Sequence, residues 1–241
     1  MGFRERIYSR YFTTTYGETS PGDEAAFALA LPALRELLLP HVTSRRDAFI
    51  VDAACGIGYA LSMLQRSGYT NVIGIDLSEE QVEVAKSKGL PVERAEAIEW
   101  LTARPGQLDA VLALDFAEHL TRDELLAFLD ACHSALKPGG RVVIKTPNAL
   151  SPLASRFRWR DLTHELVYSE HSLRQAFLTC DLNPVAIVGE RFRPLTWKAH
   201  VRSWVAGAMR AIWRLYLVAE LGSEDIRTPL EFNLIAVAEK R

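Results

Sequence analysis

The chain has 241 residues, of which 49% are hydrophobic, and its formal net charge at pH 7 is −2. This length suits one α/β domain with additions, and the charge argues against a general nucleic-acid-binding protein. The three cysteines are too widely spaced for a disulfide framework or a zinc-binding pattern, and neither a signal peptide nor a membrane-spanning stretch is evident, so we expect a cytoplasmic protein, free or at the inner face of the membrane.

Strand and helix patterns alternate over residues 48–146, which predicts a parallel sheet with helices on both faces. The predicted strands of this region span residues 49–53, 71–75, 91–94, 108–114 and 141–146, and two further strands are predicted at residues 184–188 and 230–239. Ser78 and Thr121 each begin a capping-box pattern, which marks the start of a helix. Residues 137–140, with the sequence Lys-Pro-Gly-Gly, are expected to end the second of these helices and to turn the chain into the next strand.

The most informative stretch is residues 49–58, where an apolar strand runs into Asp52 and a tight turn that contains Gly56 and Gly58. A helix over residues 59–66 follows, and the second strand ends in Asp76, 18 residues past Gly58. Glycines let the backbone approach a ligand closely, and an acid at the end of the second strand accepts hydrogen bonds from ribose hydroxyls. This pattern predicts a Rossmann-like sheet that binds an adenosine cofactor.

The order of these motifs resembles that of class I S-adenosylmethionine-dependent methyltransferases, over roughly residues 45–190 and the last strand. The matching segments are residues 52–58, Asp76, Glu96 with Ala97, and residues 136–140. The resemblance implies a doubly wound, mostly parallel seven-stranded sheet and S-adenosylmethionine as the cofactor. A nicotinamide dehydrogenase is disfavoured, because Leu61 stands where its third glycine is expected and Asp52 would repel a pyrophosphate.

The resemblance also implies roles for individual residues. Asp76 is expected to accept hydrogen bonds from both ribose hydroxyls, and Leu77 to cover one face of the adenine. Glu96 is expected to accept from the adenine amino group, although it can also simply open the next helix. The methyl group of Ala54, where the family usually has glycine, is expected to crowd the methionine end of the cofactor slightly. The predicted cofactor residues are Asp52, Ala54, Cys55, Gly56, Gly58, Asp76, Leu77, Gln81, Glu96, Ala97, Asp115 and Phe116.

A hydroxyl acceptor needs a base to remove its proton. The exit of the fourth strand, residues 114–120, lacks the Asn/Asp-Pro-Pro-aromatic run that methyltransferases acting on the amino groups of bases or amides often show, which counts against N-methylation of DNA or glutamine. His164 lies in a polar segment after the fifth strand and is the favoured base, oriented by Asp161 or Glu165; the alternative is a locally bonded loop histidine. The second candidate, His119, belongs to a Glu-His pair similar to that of ubiquinone-type methyltransferases, or else braces the following helix. The predicted catalytic residues are His164, His119 and Glu165. Because His164, Glu165 and His171 match no strong ligand spacing, no metal site is predicted.

Outside the core, we interpret residues 1–44 as an arm and a helix, residues 190–228 as a helical insertion and residues 229–241 as the segment of the closing strand, around a cofactor-binding core at residues 45–189 of a single domain. The tyrosine-rich arm is expected to act as a lid. In the insertion, one helical face of residues 197–221 is apolar, and the other carries basic residues interleaved with Met209, Trp213 and Leu217, which resembles a helix at a membrane surface. A helix at a homodimer interface and a lid over the active site are the alternatives.

Ten Arg or Lys against five Asp or Glu within residues 156–214 suggest an anionic acceptor or surface, and the alternative is a solvated basic face. The pattern after the fifth strand is similar to that of methyltransferases encoded with bacterial surface-polysaccharide assembly. We therefore predict an O-methyltransferase of a sugar or glycan precursor. The alternatives are an O-methyltransferase of a lipid-soluble phenol, as in quinone synthesis, and a non-catalytic cofactor-binding or scaffold subunit. A tRNA methyltransferase is disfavoured, since no RNA-binding module is recognised.

Overall fold

The structure of the protein is a computed structural model that describes residues 3–8, 10–16, 24–191, 194, 196–222 and 227–241. The described residues form one seven-stranded sheet of order β3-β2-β1-β4-β5-β7-β6. Its strands are β1 (Ile50–Ala53), β2 (Val72–Asp76), β3 (Val92–Arg94), β4 (Leu108–Leu114), β5 (Leu136–Pro147), β6 (Leu182–Gly189) and β7 (Asn233–Lys240). The first five strands pair in parallel, and β7 runs antiparallel between β5 and β6. The mostly parallel, seven-stranded prediction is confirmed.

Helices cover both faces of this sheet. In the described residues they are α1 (Phe3–Tyr8), α2 (Tyr11–Tyr16), α3 (Glu24–Leu38), α4 (Tyr59–Arg66), α5 (Glu79–Ser87), α6 (Ala97–Thr102), α7 (Arg122–Ala135), α8 (Ala154–Arg158), α9 (Glu170–Thr179) and α10 (Trp197–Leu221), with a 3₁₀ turn at Ala117–His119. Side chains alternate along each strand, so Val51 joins the core with α6, α7 and α9, whereas its neighbour Ile50 joins the core with α3, α4 and α5. Because both faces are buried, the strands carry continuous apolar runs.

The predicted start signals of two helices are observed to different extents. Thr121 makes both bonds of the capping box with Glu124 at the start of α7. At the start of α5, the hydroxyl of Ser78 accepts a bond from the Gln81 backbone at 3.5 Å. The Gln81 side chain lies against the glycine turn instead. It comes so close to Gly56 that a Cβ added at this glycine would lie 2.8 Å from Gln81 Oε1.

The prediction that residues 137–140 follow the end of a helix and turn the chain into the fifth strand is confirmed in part: α7 ends at Ala135 and continuous pairing with β4 begins at Arg141, but the strand itself starts earlier. Strand β5 begins at Leu136, directly after α7, and pairs with Leu108 of β4. The register then shifts, so that Ala110 pairs with Arg141, and the two glycines lie in the resulting irregularity, where Gly139 has a φ of +77°. A glycine pair at this position therefore marks a bulge within a strand.

Several strands begin a few residues away from their predicted start. The closing strand begins at Asn233, three residues later than predicted, and β6 begins at Leu182, two residues earlier. Parts of the predicted arm and insertion, residues 1–2, 9, 17–23, 192–193, 195 and 223–226, lie outside the described residues.

Candidate active site

A large cleft lies at the carboxyl ends of β1, β2, β4 and β5, with a volume of about 1960 Å³. This exceeds the roughly 300–1,000 Å³ of a typical single-ligand pocket, so the cleft has room for a cofactor and an acceptor together. It is lined by all the predicted cofactor residues except Gly58, namely Asp52, Ala54, Cys55, Gly56, Asp76, Leu77, Gln81, Glu96, Ala97, Asp115 and Phe116. Of the predicted catalytic residues, His119 and His164 line it as well.

The glycine turn after β1 has the backbone shape that the sequence predicts. Gly58 has a φ of +87° and is the N-cap of α4, and a Cβ there would lie 2.3 Å from Leu90 Cδ1. Its role is therefore to form the turn rather than to line the cleft. Ala54 also lies in the left-handed region, with a φ of +59°. That conformation costs about 1–2 kcal/mol for a residue with a Cβ, so the departure from glycine strains the backbone as well as adding a methyl group.

Asp76 ties the end of β2 to this turn. Its Oδ2 accepts a hydrogen bond from the Gly56 backbone at 2.8 Å, and its Oδ1 accepts one from the Ser78 backbone at 2.8 Å. Burial raises the pKa of this carboxyl, and the backbone bonds offset part of the increase. Each carboxylate oxygen has a second lone pair, so the two backbone bonds leave capacity for ribose hydroxyls.

Asp52 is the strongest sign that a ligand belongs in the cleft. The residue is 2% exposed, and its Oδ1 has no hydrogen-bond partner among the described residues. Burial and then the neighbouring Asp76 raise the pKa of Asp52 to about 8. Because buried polar atoms are nearly always satisfied, this oxygen fits a hydrogen-bond donor on a bound ligand, such as the ammonium group of S-adenosylmethionine or a water held by it.

On the adenine side of the site, Glu96 is compatible with both predicted roles, binding adenine and opening the next helix. Its Oε2 accepts a hydrogen bond from the Glu99 backbone at 2.8 Å, so the residue opens α6, as the alternative interpretation holds. It also lines the cleft, as does Leu77, which is 50% exposed and has surface to offer an adenine ring. The contact between Glu96 and adenine stays a prediction.

The acceptor side of the cleft is organised by a chain of hydrogen bonds that ends on His119. Tyr11 donates to Asp161 Oδ2 at 2.7 Å, and the Thr163 hydroxyl donates to Asp161 Oδ1 at 2.6 Å. His119 Nδ1 lies 2.8 Å from the same Thr163 oxygen. Since the single hydroxyl proton of Thr163 points to Asp161, His119 Nδ1 must be the donor and the lone pair of the ring is on Nε2. Burial and then His164 lower the pKa of His119 to about 4, so this ring is neutral at pH 7.

His164 stands beside His119, with ring centroids 4.8 Å apart and an edge-to-face geometry. Its Nδ1 is 2.8 Å from the carbonyl oxygen of Phe157, which can only accept, so Nδ1 carries a proton and the lone pair of the neutral ring is on Nε2. The predicted base therefore lies in the cleft, and it is also held locally, as its alternative interpretation proposes. Glu165 does not line the cleft; its backbone N–H donates to the carbonyl of Glu118 at 2.8 Å.

Sequence reasoning missed Glu118, the most deeply buried acid on the acceptor side among the described residues. It is 2% exposed, and its Oε2 accepts a hydrogen bond from the Thr146 hydroxyl at 3.0 Å. Burial and then Asp115 raise the pKa of Glu118 to about 8. One carboxylate oxygen of Glu118 and one nitrogen of each of His119 and His164 lie within 4.8 Å of one another. The Glu-His pair was visible in the sequence, but its approach to the later loop was not.

The basic residues of the 156–214 segment do not gather at the cleft within the described part of the chain. Arg174 pairs with Glu170, and Arg191 pairs with Glu231. Arg160 lines the cleft, whereas Arg193 lies outside the described residues. The sequence-based argument for an anionic acceptor is thereby weakened.

Helix α10 turns its apolar face outward. Trp197 is 71% and Trp204 77% exposed, while Arg214 faces the domain and donates to the Thr228 carbonyl at 2.9 Å. Among the described residues, no helix is both long enough and apolar enough to cross a membrane.

The fold and the cleft define an S-adenosylmethionine-dependent methyltransferase, and comparison with known proteins agrees. A family model described as a methyltransferase domain matches residues 24–187, so the chain belongs to this methyltransferase family. The chain is 35% identical over 127 residues to the ubiquinone biosynthesis O-methyltransferases of Xylella fastidiosa (strain 9a5c) and Xanthomonas campestris pv. campestris (strain B100). These matches cover 49% of this chain and 50% and 52% of those proteins, so the chain spans about half the length of the curated relatives it matches.

Solved structures share the fold. A methyltransferase from Archaeoglobus fulgidus superposes with a TM-score of 0.65 at 22% identity, covering 89% of this chain and 94% of that one. Geranyl diphosphate C-methyltransferase from Streptomyces coelicolor A3(2), solved with Mg²⁺, geranyl diphosphate and S-adenosyl-L-homocysteine, gives a TM-score of 0.62 at 17% identity and covers 87% of this chain and 77% of that one. At these identities the likeness shows the fold alone.

Proposed function

We propose that this protein is an O-methyltransferase that acts on a phenolic hydroxyl of a small, lipid-soluble acceptor. The observation that carries the proposal is the pair of imidazole rings, of His119 and His164, at the acceptor end of a cleft whose other end fits the cofactor. The partial match to ubiquinone biosynthesis O-methyltransferases supports the same acceptor class. The sugar or glycan acceptor, which the sequence first suggested, has less support because the basic segment is largely engaged elsewhere.

When bound, S-adenosylmethionine supplies an electrophilic methyl group. The chain's own contribution is to hold the cofactor with Asp52 and Asp76 and to take the acceptor's proton. We assign that proton to Nε2 of His164, because the pKa of about 4 makes His119 a weak base. Asp52 and Asp76 would hold the cofactor, which would supply the methyl group for the acceptor oxygen and keep the electron pair of the broken sulfur–carbon bond. His119, fixed through Thr163 and Asp161, positions His164 and the acceptor.

The lining of the acceptor end favours an aromatic ring. Phe157 and Phe232 pack edge to face beside His164, and both line the cleft together with Leu162. Tyr11 stands edge-on to His119, with ring centroids 6.2 Å apart. Aromatic and aliphatic walls stabilise a flat phenol through apolar burial.

Helix α10 fits an acceptor that is dissolved in a membrane. We propose that its outward face, which carries Trp197, Trp204 and Leu215 with the basic Lys198 and Arg202 beside them, lies on the membrane surface. A protein on that surface meets a lipid-soluble acceptor directly.

The test is methyl transfer by the purified protein to two acceptor pools, a lipid-soluble catechol such as 4-tert-butylcatechol and a set of nucleotide sugars, with release of S-adenosylhomocysteine as the readout. We expect turnover on the catechol. His164→Ala should lower the turnover rate at least about 100-fold, the usual contribution of a positioned base, with cofactor binding retained. The matched control is His171→Ala, because His171 is exposed on α9 and does not line the cleft. Turnover on nucleotide sugars alone would contradict the proposal.

A further inference from the structure

Three side chains on the acceptor side converge as metal ligands do. One carboxylate oxygen of Glu118 and one ring nitrogen from each of His119 and His164 lie within 4.8 Å of one another. Glu118 and His119 belong to the 3₁₀ turn after β4, whereas His164 comes from the loop after α8. We infer that these three residues bind one divalent transition-metal cation.

The hydrogen bonds behind the two histidines match those of metal-bound imidazoles. A ligating histidine usually donates its second ring N–H to a carboxylate or a carbonyl, which fixes the tautomer and aims the ring. His164 Nδ1 donates to the Phe157 carbonyl at 2.8 Å. His119 Nδ1 donates to Thr163, whose hydroxyl in turn donates to Asp161. With Nδ1 of each ring committed to these bonds, Nε2 is the nitrogen left to bind a cation.

The carboxylate is arranged in the same way. Glu118 is 2% exposed, and the Thr146 hydroxyl holds its Oε2 at 3.0 Å. A buried carboxylate is stable in its charged form when it is paired with a cation or coordinates a metal. Lys145, a basic residue whose charge acts on Glu118, makes its ion pair with Asp115 instead. No ion pair of Glu118 is found among the described residues, and a metal cation beside it would supply the missing positive charge.

The donor set indicates the type of cation. Two imidazoles and one carboxylate suit Zn²⁺, Co²⁺, Mn²⁺ or Fe²⁺, whereas Mg²⁺ and Ca²⁺ prefer oxygen ligands. Three protein ligands also leave coordination positions open, as in catalytic sites. Two adjacent hydroxyls of a catechol could occupy these positions.

The catalytic role of the cation rests on the function proposed above, although its binding does not. A cation that binds the acceptor oxygen lowers the pKa of that hydroxyl, and the proton then leaves to water. His164 would in that case act as a metal ligand rather than as the base. The two roles predict different results after removal of the metal.

The test measures Co²⁺ binding to untagged, chelator-treated protein by visible absorption and equilibrium dialysis. We expect one Co²⁺ for each chain. His164→Ala and Glu118→Gln should weaken binding more than tenfold, and Thr163→Val about tenfold or more through the lost support of His119. His171→Ala should bind Co²⁺ as the native protein does. Retained binding of S-adenosylhomocysteine shows that each variant is folded. Equal Co²⁺ affinity in the native protein, His164→Ala and Glu118→Gln would overturn the site.

Methyl transfer to the catechol is measured separately on the chelated protein. Loss of turnover, restored by added Co²⁺ or Zn²⁺, supports the catalytic role of the cation. Full turnover by chelated protein that nevertheless binds Co²⁺ overturns that role and leaves His164 as the base. If no acceptor is methylated under any condition, the proposed function fails, whereas the Co²⁺ titration still decides whether the site exists.

Discussion

At the scale of single residues, Ala54 stands where the methyltransferase family usually has glycine, and replacing it with glycine should relieve its strained backbone. Its φ of +59° lies in the region that glycine adopts readily. We expect Ala54→Gly to raise the free energy of unfolding by about 0.5–1 kcal/mol, since the relief of strain exceeds the added freedom of the unfolded chain. Chemical denaturation measures the change.

The matched control for this substitution is Ala53→Gly, one residue earlier. Ala53 is fully buried in β1, and glycine within a strand weakens it, so this variant should be less stable by about 0.5–1 kcal/mol. Equal destabilisation by the two glycines would show that Ala54 is not strained.

The buried carboxyl of Asp52 should make stability depend on pH. Burial and the neighbouring Asp76 raise the pKa of Asp52 to about 8, so the folded protein keeps a proton that the unfolded chain has lost above about pH 4. The free energy of unfolding therefore falls as pH rises from about 4 to about 8. Asp52→Asn should remove this contribution. The free energy of unfolding of the variant, relative to that of the native protein, should therefore increase by up to about 1.4 kcal/mol for each pH unit in that window. Urea denaturation at pH 5, 6 and 7 without cofactor measures the difference, and a constant difference would contradict the assignment.

At the scale of elements, the cofactor half of the site was accessible from the sequence because its signals are local. The strand, the acid and the glycine turn lie within residues 49–58, and each constrains its own backbone. The boundaries of α4 and β4 were predicted correctly for the same reason, since apolar periodicity and turn residues act over a few positions.

On the acceptor side the sequence named His119 and His164, both of which line the cleft, but it could not predict how they meet, because distant contacts determine the shape of this half. The loop after β5 returns to the sheet through a bridge between Asn148 and Tyr168, and the Asn148 side chain donates to the carbonyls of Pro229 and Glu231. These contacts bring His164 to His119, which lies 45 residues earlier in the chain. Likewise, the glycine pair at residues 139–140 has the pattern of a turn until the register of β4 and β5 is known.

At the scale of the whole molecule, the outward face of α10 should bind vesicles. We expect the protein to sediment with vesicles that contain anionic phospholipid, through Trp197 and Trp204 with support from Lys198 and Arg202. Trp204→Glu should reduce the bound fraction several-fold. The matched control is Trp159→Glu, because both tryptophans are 77% exposed and Trp159 lies outside α10.

An equal loss in the two tryptophan variants would contradict a membrane-binding role of α10. A stable dimer in sedimentation velocity without vesicles, broken by Trp204→Glu, would identify this face as a contact between two copies and overturn the membrane proposal.

The position of β7 within the sheet has a consequence for synthesis on the ribosome. This strand is made after the other six, yet it lies between β5 and β6, so β6 has no place in the sheet until β7 has formed. The predicted cofactor residues, by contrast, all precede residue 117 and lie on or beside strands that pair without β7. We therefore expect the nascent chain to fold the cofactor half first. The acceptor half should assemble only after β7 has been made, because it depends on contacts between residues far apart in the sequence, and such contacts form slowly.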